Sequence, residues 1–113
     1  MQDIEKLSSA ELAEKYADYP FGILDSIYDL VKHREKYPVE GSYTNYLINK
    51  GPDYVLKKVG EECTEAIIAF KNRNQDELVH EISDLLYHLT VAFAYFDIDS
   101  EIIFEELIKR RSI

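Results

Sequence analysis

Two short acidic motifs are the part of this sequence whose residue types and spacing could do chemistry. The first contains Glu61, Glu62 and Glu65, and the second contains Glu81 and Asp84. Residues three positions apart project from the same face of an α-helix, so each motif would present a pair of carboxylates on one side. Oxygen ligands of this kind suit Mg²⁺ or Mn²⁺, which also bind phosphates. The motifs therefore predict a divalent-cation site, although each motif alone would also fit a solvated helix face.

The two motifs belong to two long periodic segments that we expect to pack as antiparallel helices. The first segment runs from about Pro52 to Asn72. The second has a capping pattern, Asn74 followed three residues later by Glu77, and runs to about Phe96. Acidic pairs on the flanks of two neighbouring helices would meet at the rim of the bundle. Ionised carboxylates that close would repel one another strongly unless a cation lay between them.

The helical wheel predicts how far each carboxylate lies from the core. Glu62 lies at the edge of the buried face, Glu65 lies further outward, and Glu61 lies furthest from the core. On the second segment, one flank of the apolar face carries a polar stripe that consists of Glu81, Asp84 and His88. We therefore expect Glu62 and Glu81 to be the carboxylates nearest the core.

Apolar periodicity predicts the buried side of each long helix and the surroundings of the cysteine and histidines. Cys63 is expected to be a small core residue, whereas His33 and His80 are expected at the surface. The predicted stripe of the first helix consists of Leu56, Val59, Cys63, Ile67 and Phe70. That of the second consists of Leu78, Ile82, Leu85, Leu89, Ala92 and Phe96.

The remaining chain predicts further helices and no strands, so the expected fold class is all-α, a small antiparallel helical bundle. Residues 1–113 form one predicted domain, in which 1–22 are an N-terminal extension with a short helix and 23–113 are the bundle. The shorter predicted helices run from about Ser9 to Ala17 behind a capping box at Ser8 and Glu11, from Ile23 to Lys36, from a cap at Ser42 to about Lys50, and onward from a cap at Asp99.

Composition limits the possible partners. The 113 residues include 13 Lys and Arg against 22 Asp and Glu, a formal net charge of −9. This acidic balance argues against nucleic acid and against an anionic membrane surface as partners. The single cysteine excludes an internal disulfide framework and a cysteine-based zinc cluster. No apolar run approaches the ~20 residues of a membrane span, and we expect a cytoplasmic protein that binds a small molecule.

The residues around the acidic motifs resemble the phosphoribosyl-ATP pyrophosphohydrolases, which belong to the wider MazG-like group of all-α nucleoside triphosphate pyrophosphohydrolases. The paired acidic motifs mark the wider group, and the strings around them narrow the resemblance to the histidine-biosynthesis enzyme. The similarity covers about Leu24 to Arg110. It is carried by Lys58-Val59-Gly60-Glu61-Glu62, by Glu65, by Lys71-Asn72, by Glu81-x-x-Asp84-Leu85-Leu86-Tyr87-His88-Leu89, and upstream by Ser42-Tyr43-Thr44 and Gly51.

The resemblance implies Mg²⁺-dependent hydrolysis of phosphoribosyl-ATP to phosphoribosyl-AMP and pyrophosphate, the second step of histidine biosynthesis. Many relatives are fused to a cyclohydrolase that binds zinc through Cys and His; because this sequence has one Cys and 113 residues, we expect a stand-alone enzyme. From the residues alone, Ser42 would equally pass as a helix cap and His88 as a hydrogen-bonded, half-buried side chain. The implied metal ligands are Glu62, Glu65, Glu81 and Asp84; the implied catalytic residues are Glu61 and Glu62; the implied substrate contacts are Ser42, Tyr43, Thr44, Lys58, Lys71, Asn72 and His88.

Two other functions stay open at this point, and so does the assembly. A related enzyme could cleave common or damaged nucleoside triphosphates, and a non-catalytic helical interaction module would leave the acidic stripe merely solvated. From Leu85 to Phe96 the second long helix is apolar almost all round, which predicts burial on every side. We expect a second subunit to cover part of that surface, in a homodimer or larger homo-oligomer, as the resemblance also implies.

Overall fold

Five α-helices and no strand make up the part of the chain that this computed structural model describes, which is residues 22–111 together with Leu7, Ser8, Ala10, Glu11 and Glu14. The predicted all-α fold class is confirmed. The helices are α1 (Ile23–Lys36), α2 (Tyr43–Lys50), α3 (Pro52–Asn72), α4 (Gln75–Tyr95) and α5 (Ser100–Arg111).

Local side-chain chemistry explains where these helices begin. The Ser42 hydroxyl accepts a hydrogen bond from the Asn45 amide at the start of α2 (3.2 Å). The Asn74 side chain accepts one from the Glu77 amide at the start of α4 (3.1 Å). Asp99 accepts one from the amide of Glu101 before α5 (2.9 Å). The predicted bounds of these helices are confirmed to within a residue or two.

The capping box near the N-terminus also forms. The Ser8 amide donates to the Glu11 carboxylate (3.1 Å), and the Glu11 amide donates to the Ser8 hydroxyl (3.2 Å). Most of the helix predicted from Ser9 to Ala17, and most of the predicted extension 1–22, lies outside the described residues.

The turn between α3 and α4 consists of Arg73 and Asn74. Arg73 adopts a left-handed conformation (φ 53°) that ends α3, and its amide donates to the Phe70 carbonyl (3.2 Å). So short a turn makes α3 and α4 antiparallel neighbours, and they pack against each other along their lengths. Helix α1 packs across α4, and α2 bridges α1 and α3.

The core lies among α1, α2, α3 and α4. Its most deeply buried side chains are Val31 of α1, Leu47 of α2, Val55 of α3, and Val91 and Ala94 of α4, all at most 1% exposed. These side chains hold the two long helices in place under the short α2.

The apolar stripe predicted for α3 is wrong at every position except Val59, which is partly buried against the core. Leu56, Ile67 and Phe70 are 51–63% exposed, and Cys63, the predicted core residue, is exposed too. Helix α3 has apolar residues on two sides, and the side with smaller residues faces the core because α4 approaches there closely. The residues actually buried on α3 are Val55, Glu62, Ala66 and Ala69.

Two further burial predictions fail, and one succeeds. His33 is buried near the end of α1, where its ring lies 5.0 Å from that of Tyr37, although it was expected at the surface. Phe96, predicted on the buried stripe of α4, is 42% exposed because it lies at the cap where the helix ends. His80 is exposed, as predicted.

Helix α5 exposes most of its apolar side chains. One of its sides lines a cavity of about 200 Å³ together with residues of α1 and α4, and every α5 residue after Ser100 is exposed to solvent over a large part of its surface. None of the described helices combines the length and the apolar character that crossing a membrane requires. The exposed apolar residues of α5 are Ile102, Ile103, Phe104, Leu107 and Ile108.

Candidate active site

Carboxylates from α3 and α4 converge at one rim of the bundle. One oxygen each of Glu62, Glu65 and Glu81 lies within 4.8 Å of the other two. A second group within the same distance consists of Glu81, Asp84 and His80. Because Glu81 belongs to both groups, the four carboxylates that were predicted as metal ligands form one continuous acidic cluster.

The turn at Arg73 explains why the two motifs meet. Glu65 lies eight residues before Arg73 and Glu81 lies eight residues after it, while Glu62 and Asp84 lie eleven residues before and after it. In an antiparallel hairpin these pairs stand at equal heights, roughly 12 Å and 16 Å from the turn along the helix axis. The spacing of the motifs is therefore symmetric about the turn.

Burial and mutual repulsion perturb this cluster. The side chain of Glu62 is only 7% exposed. Burial raises the pKa of Glu62, and the nearby charges of Glu65 and Asp84 raise it further. A shared hydrogen bond with the Glu65 carboxyl, followed by burial, raises the pKa of Glu81. The Oε2 atoms of Glu62 and Glu81 are buried and have no hydrogen-bond partner in the described part of the chain.

Lys57 and Lys58 neutralise one side of the cluster. The Lys58 ammonium donates to Glu61 Oε2 at 3.1 Å and lies 3.5 Å from Glu62 Oε1, and Lys57 lies 3.6 Å from Glu61 Oε1. The hydrogen bond from Lys58 lowers the pKa of Glu61, and in turn raises the pKa of Lys58. Glu61 is more exposed than Glu62, as predicted, but the prediction that Glu61 lies furthest from the core is wrong, because Glu61 is only partly exposed whereas Glu65 is exposed. Glu61 is held in an ion pair, and its catalytic role stays a prediction.

His88 joins the acidic cluster to α2. It is buried on α4, and its Nδ1 lies 2.8 Å from the Asp84 carbonyl oxygen, which can only accept. Nδ1 therefore carries a proton, and in the neutral ring Nε2 accepts from the Tyr43 hydroxyl at 2.9 Å. Both ring nitrogens of His88 are hydrogen-bonded within the chain. In this arrangement His88 would affect a substrate by orienting the Tyr43 hydroxyl, and its direct contact with substrate stays a prediction.

The side chains of Ser42 and Thr44, which were also predicted to contact substrate, form hydrogen bonds within the chain. The Ser42 hydroxyl caps α2 and also accepts from Arg34 Nη1 at 3.1 Å. Thr44 is buried and shares a 2.6 Å hydrogen bond with the Tyr87 hydroxyl. Tyr43, by contrast, is 46% exposed beside the cluster. Of the three residues, Tyr43 is the one placed to touch a ligand.

The far end of the cluster opens into a cleft of about 280 Å³. Asn72 lines this cleft with Glu65 and Glu81, and its side-chain amide donates to Glu77 at 3.3 Å. Lys71 is exposed in the last turn of α3. The structure therefore brings Asn72 to the acidic cluster, while the substrate contact predicted for Lys71 stays a prediction.

Sequence reasoning missed His80 as a member of the cluster. Its Nε2 lies 3.3 Å from Asp84 Oδ2. The four-residue spacing between His80 and Asp84 places both on one helix face and was the signal available. It was overlooked because an exposed histidine on a helix carries no chemistry by itself.

Comparison with known proteins shows the family to which this chain belongs. The family model described as Phosphoribosyl-ATP pyrophosphohydrolase matches residues 24–111. Over 88 residues, the chain is 53% identical to the histidine biosynthesis bifunctional protein HisIE of Caldanaerobacter subterraneus subsp. tengcongensis, covering 78% of this chain and 43% of that protein. It is 51% identical over 88 residues to the phosphoribosyl-ATP pyrophosphatase of Clostridium acetobutylicum, covering 78% of this chain and 80% of that protein.

A third relative extends the pattern. The phosphoribosyl-ATP pyrophosphatase of Bacillus cytotoxicus is 47% identical over 88 residues, covering 78% of this chain and 82% of that protein. The chain spans less than half the length of the bifunctional relatives and most of the length of the pyrophosphatases. The resemblance drawn from the acidic motifs is thereby confirmed, and the chain belongs to the phosphoribosyl-ATP pyrophosphohydrolase family.

Proposed function

We propose that this chain hydrolyses phosphoribosyl-ATP to phosphoribosyl-AMP and pyrophosphate, the second step of histidine biosynthesis. The observation that carries the proposal is the convergence of Glu62, Glu65 and Glu81 within 4.8 Å in a member of this family. Carboxylates clustered this closely repel one another and destabilise the folded state unless a cation or a proton neutralises them. Their place beside an open cleft gives a phosphate chain access to them.

The chemistry of the cluster fits Mg²⁺, with Mn²⁺ as an alternative. The ligand atoms offered by Glu62, Glu65, Glu81 and Asp84 are all carboxylate oxygens, which hard divalent cations prefer. The Oε2 atoms of Glu62 and Glu81 are buried and have no hydrogen-bond partner among the described residues. Buried polar atoms normally have a partner, and a bound cation would be the partner of these two oxygens. Bound there, the ion would neutralise charge on the phosphates and lower the pKa of a coordinated water.

In this proposal Lys58 and Glu61 act as a pair. Lys58 now bonds Glu61 at 3.1 Å, and substrate phosphates offer its ammonium a more highly charged partner. When Lys58 turns to the phosphates, Glu61 loses the bond that lowers its pKa and becomes a better proton acceptor. Water then attacks a phosphorus of the α–β anhydride, Glu61 takes the proton of that water, and the bridging P–O bond breaks to release pyrophosphate.

The exposed apolar surfaces support a homodimer. The exposed thiol of Cys63 suits a reducing compartment such as the cytoplasm. Helix α5 has one apolar side on the cavity shared with α1 and α4, while Ile102 and Ile108, at 62% and 63% exposure, lie outside it. Leu56 and Phe70 on α3 are likewise more than half exposed. A second copy, related by a two-fold axis, would cover such surfaces on both chains at once.

Substrate comparison tests the proposed function. Pyrophosphate release is measured with phosphoribosyl-ATP, ATP and the other common nucleoside triphosphates, with Glu62→Gln as the control for contaminating hydrolases. We expect kcat/KM for phosphoribosyl-ATP to exceed the others by orders of magnitude. Equal or higher values for a common triphosphate would instead indicate a house-cleaning enzyme, and the absence of both turnover and Mg²⁺ binding would indicate a non-catalytic helical module.

A further inference from the structure

An exposed group of aromatic and basic side chains lies beside the acidic cluster. This tyrosine–lysine surface consists of Tyr43 and Tyr46 of α2, Tyr54 of α3, and Lys50 at the end of α2. The Tyr43 and Tyr46 rings are nearly parallel (22°), with their centroids 6.0 Å apart. The Tyr54 ring stands edge-on to that of Tyr46 at 5.7 Å, and their hydroxyls lie 3.4 Å apart. The Lys50 ammonium lies 5.4 Å and 5.6 Å from the ring centres of Tyr46 and Tyr54.

Packing within the chain does not account for this surface. Tyr43 and Tyr46 are 46% and 45% exposed, although neighbouring Thr44, Asn45 and Leu47 are buried. Contiguous exposed aromatic groups are uncommon on a protein surface unless they bind something. A groove of about 620 Å³ runs beside the rings, a volume typical of small-molecule sites. Tyr43 and Tyr46 are among the residues that line this groove.

Two lines of contact connect the tyrosine–lysine surface to the acidic cluster. On α2, the Tyr43 hydroxyl donates to His88, which bonds the backbone of Asp84. On α3, the Lys57 ammonium lies 5.7 Å from the Tyr54 ring centre and 3.6 Å from Glu61.

The order of these groups along α3 matters. Tyr54 precedes Glu62 by eight residues, or roughly 12 Å along the helix axis. Aromatic rings, then the Lys57 and Lys58 ammonium groups, then carboxylates follow one another along one edge of the helix. This is the order of base, phosphates and metal in a bound nucleotide, and it leaves Lys50 on the side of the rings away from the carboxylates.

We propose, building on the proposed function, that the tyrosine–lysine surface binds the purine and the second phosphorylated ribose of phosphoribosyl-ATP. The face of Tyr46 stacks with the purine, since every base offers a π-face to an aromatic ring, and the perpendicular ring of Tyr54 borders the stacked base. The Lys50 ammonium pairs with the 5′-phosphate of the added ribose. ATP lacks that phosphate, so Lys50 is a residue that selects phosphoribosyl-ATP over ATP.

Two substitutions separate these roles. Tyr46→Leu keeps an apolar side chain but removes the aromatic face, and it should raise KM for phosphoribosyl-ATP and for ATP alike, by roughly tenfold. Lys50→Gln should raise KM for phosphoribosyl-ATP by roughly tenfold and leave KM for ATP unchanged, because only the former loses a charge-assisted bond. The matched control is Lys36→Gln, since Lys36 also lies over a tyrosine ring, that of Tyr37 at 5.8 Å, outside this surface.

Binding of the product gives a second readout that does not depend on turnover. Calorimetric titration with phosphoribosyl-AMP and with AMP, in chelator, should show a roughly tenfold preference for phosphoribosyl-AMP in the wild-type and Lys36→Gln chains, and no preference in Lys50→Gln. Circular dichroism verifies that each variant is folded. A preference that survives in Lys50→Gln would overturn the assignment of Lys50, and an unchanged KM in Tyr46→Leu would overturn the stacking. Failure of the wild-type chain to cleave phosphoribosyl-ATP would instead refute the proposed function.

Discussion

Replacement of Glu62 by glutamine should stabilise the metal-free fold while it removes most of the activity. Glu62 is buried among like charges, and burial and Glu65 both raise its pKa, which means that the folded state disfavours its ionised form. Glutamine keeps the shape and removes the charge. The same change removes a proposed metal ligand, so stability and activity should move in opposite directions.

The expected size of the stabilisation follows from the spacing of the carboxylates. Oxygens of Glu62, Glu65 and Glu81 lie within 4.8 Å of one another, and at such a separation two unit charges repel by roughly 3.5 kcal/mol at an effective dielectric constant of about 20. Water at the rim, partial proton uptake and the lost ion pair with Lys58 reduce the net gain to about 1 kcal/mol. For a domain of this size, that gain raises Tm by about 4 °C.

Thermal unfolding in chelator, followed by circular dichroism, measures this shift, and Glu61→Gln is the matched control. It removes the same charge one position away, but Glu61 is paired with Lys57 and Lys58 and its pKa is lowered, so its Tm should stay level or fall. Pyrophosphate release by Glu62→Gln should drop by at least roughly 100-fold. A Tm for Glu62→Gln at or below that of the wild-type chain, or equal shifts in both variants, would refute the electrostatic reasoning.

Three further outcomes are expected. Chelation should abolish pyrophosphate release and added Mg²⁺ should restore it; full turnover in metal-free buffer would exclude the proposed cation site. In chelator, the free energy of unfolding of the wild-type chain should rise relative to that of Glu62→Gln as the pH falls from about 7 toward 5. The pKa of Glu62 is raised in the folded state, so the folded state takes up a proton before the unfolded state, whose glutamates titrate near 4.5. A difference in the free energy of unfolding that does not depend on pH contradicts this reasoning. Light scattering at micromolar concentration should give twice 13.2 kDa or more, and an active 13.2 kDa species would show that no second copy is needed.

Helix bounds were predictable because they depend on chemistry within a few residues. The caps at Ser42, Asn74 and Asp99 each bond an amide two or three positions away. The buried face of α3 was not predictable in this way, since Leu56 and Val55 lie on different apolar sides of the same helix. Only the close approach of α4 decides between the two sides, and that is a property of the whole bundle.

The candidate site divides along the same line. The convergence of Glu62, Glu65 and Glu81 was predictable from the i, i+3 spacing and a short turn. The bond between Tyr43 and His88 joins residues 45 positions apart, and no local pattern announces it. Residue types within one helix turn thus indicated the acidic cluster, whereas the contact between α2 and His88 depends on tertiary packing.

The equal spacing of the two acidic motifs from Arg73 limits how the α3–α4 hairpin can change in length. One residue inserted between Glu65 and Arg73 would turn Glu65 by about 100° around the helix axis and shift it by about 1.5 Å, away from Glu81. Seven residues added to both arms, about two helical turns each, would keep the faces aligned and carry the cluster roughly 10 Å further from the turn. The site therefore constrains the difference between the two arm lengths and allows their sum to change only in steps of whole helical turns.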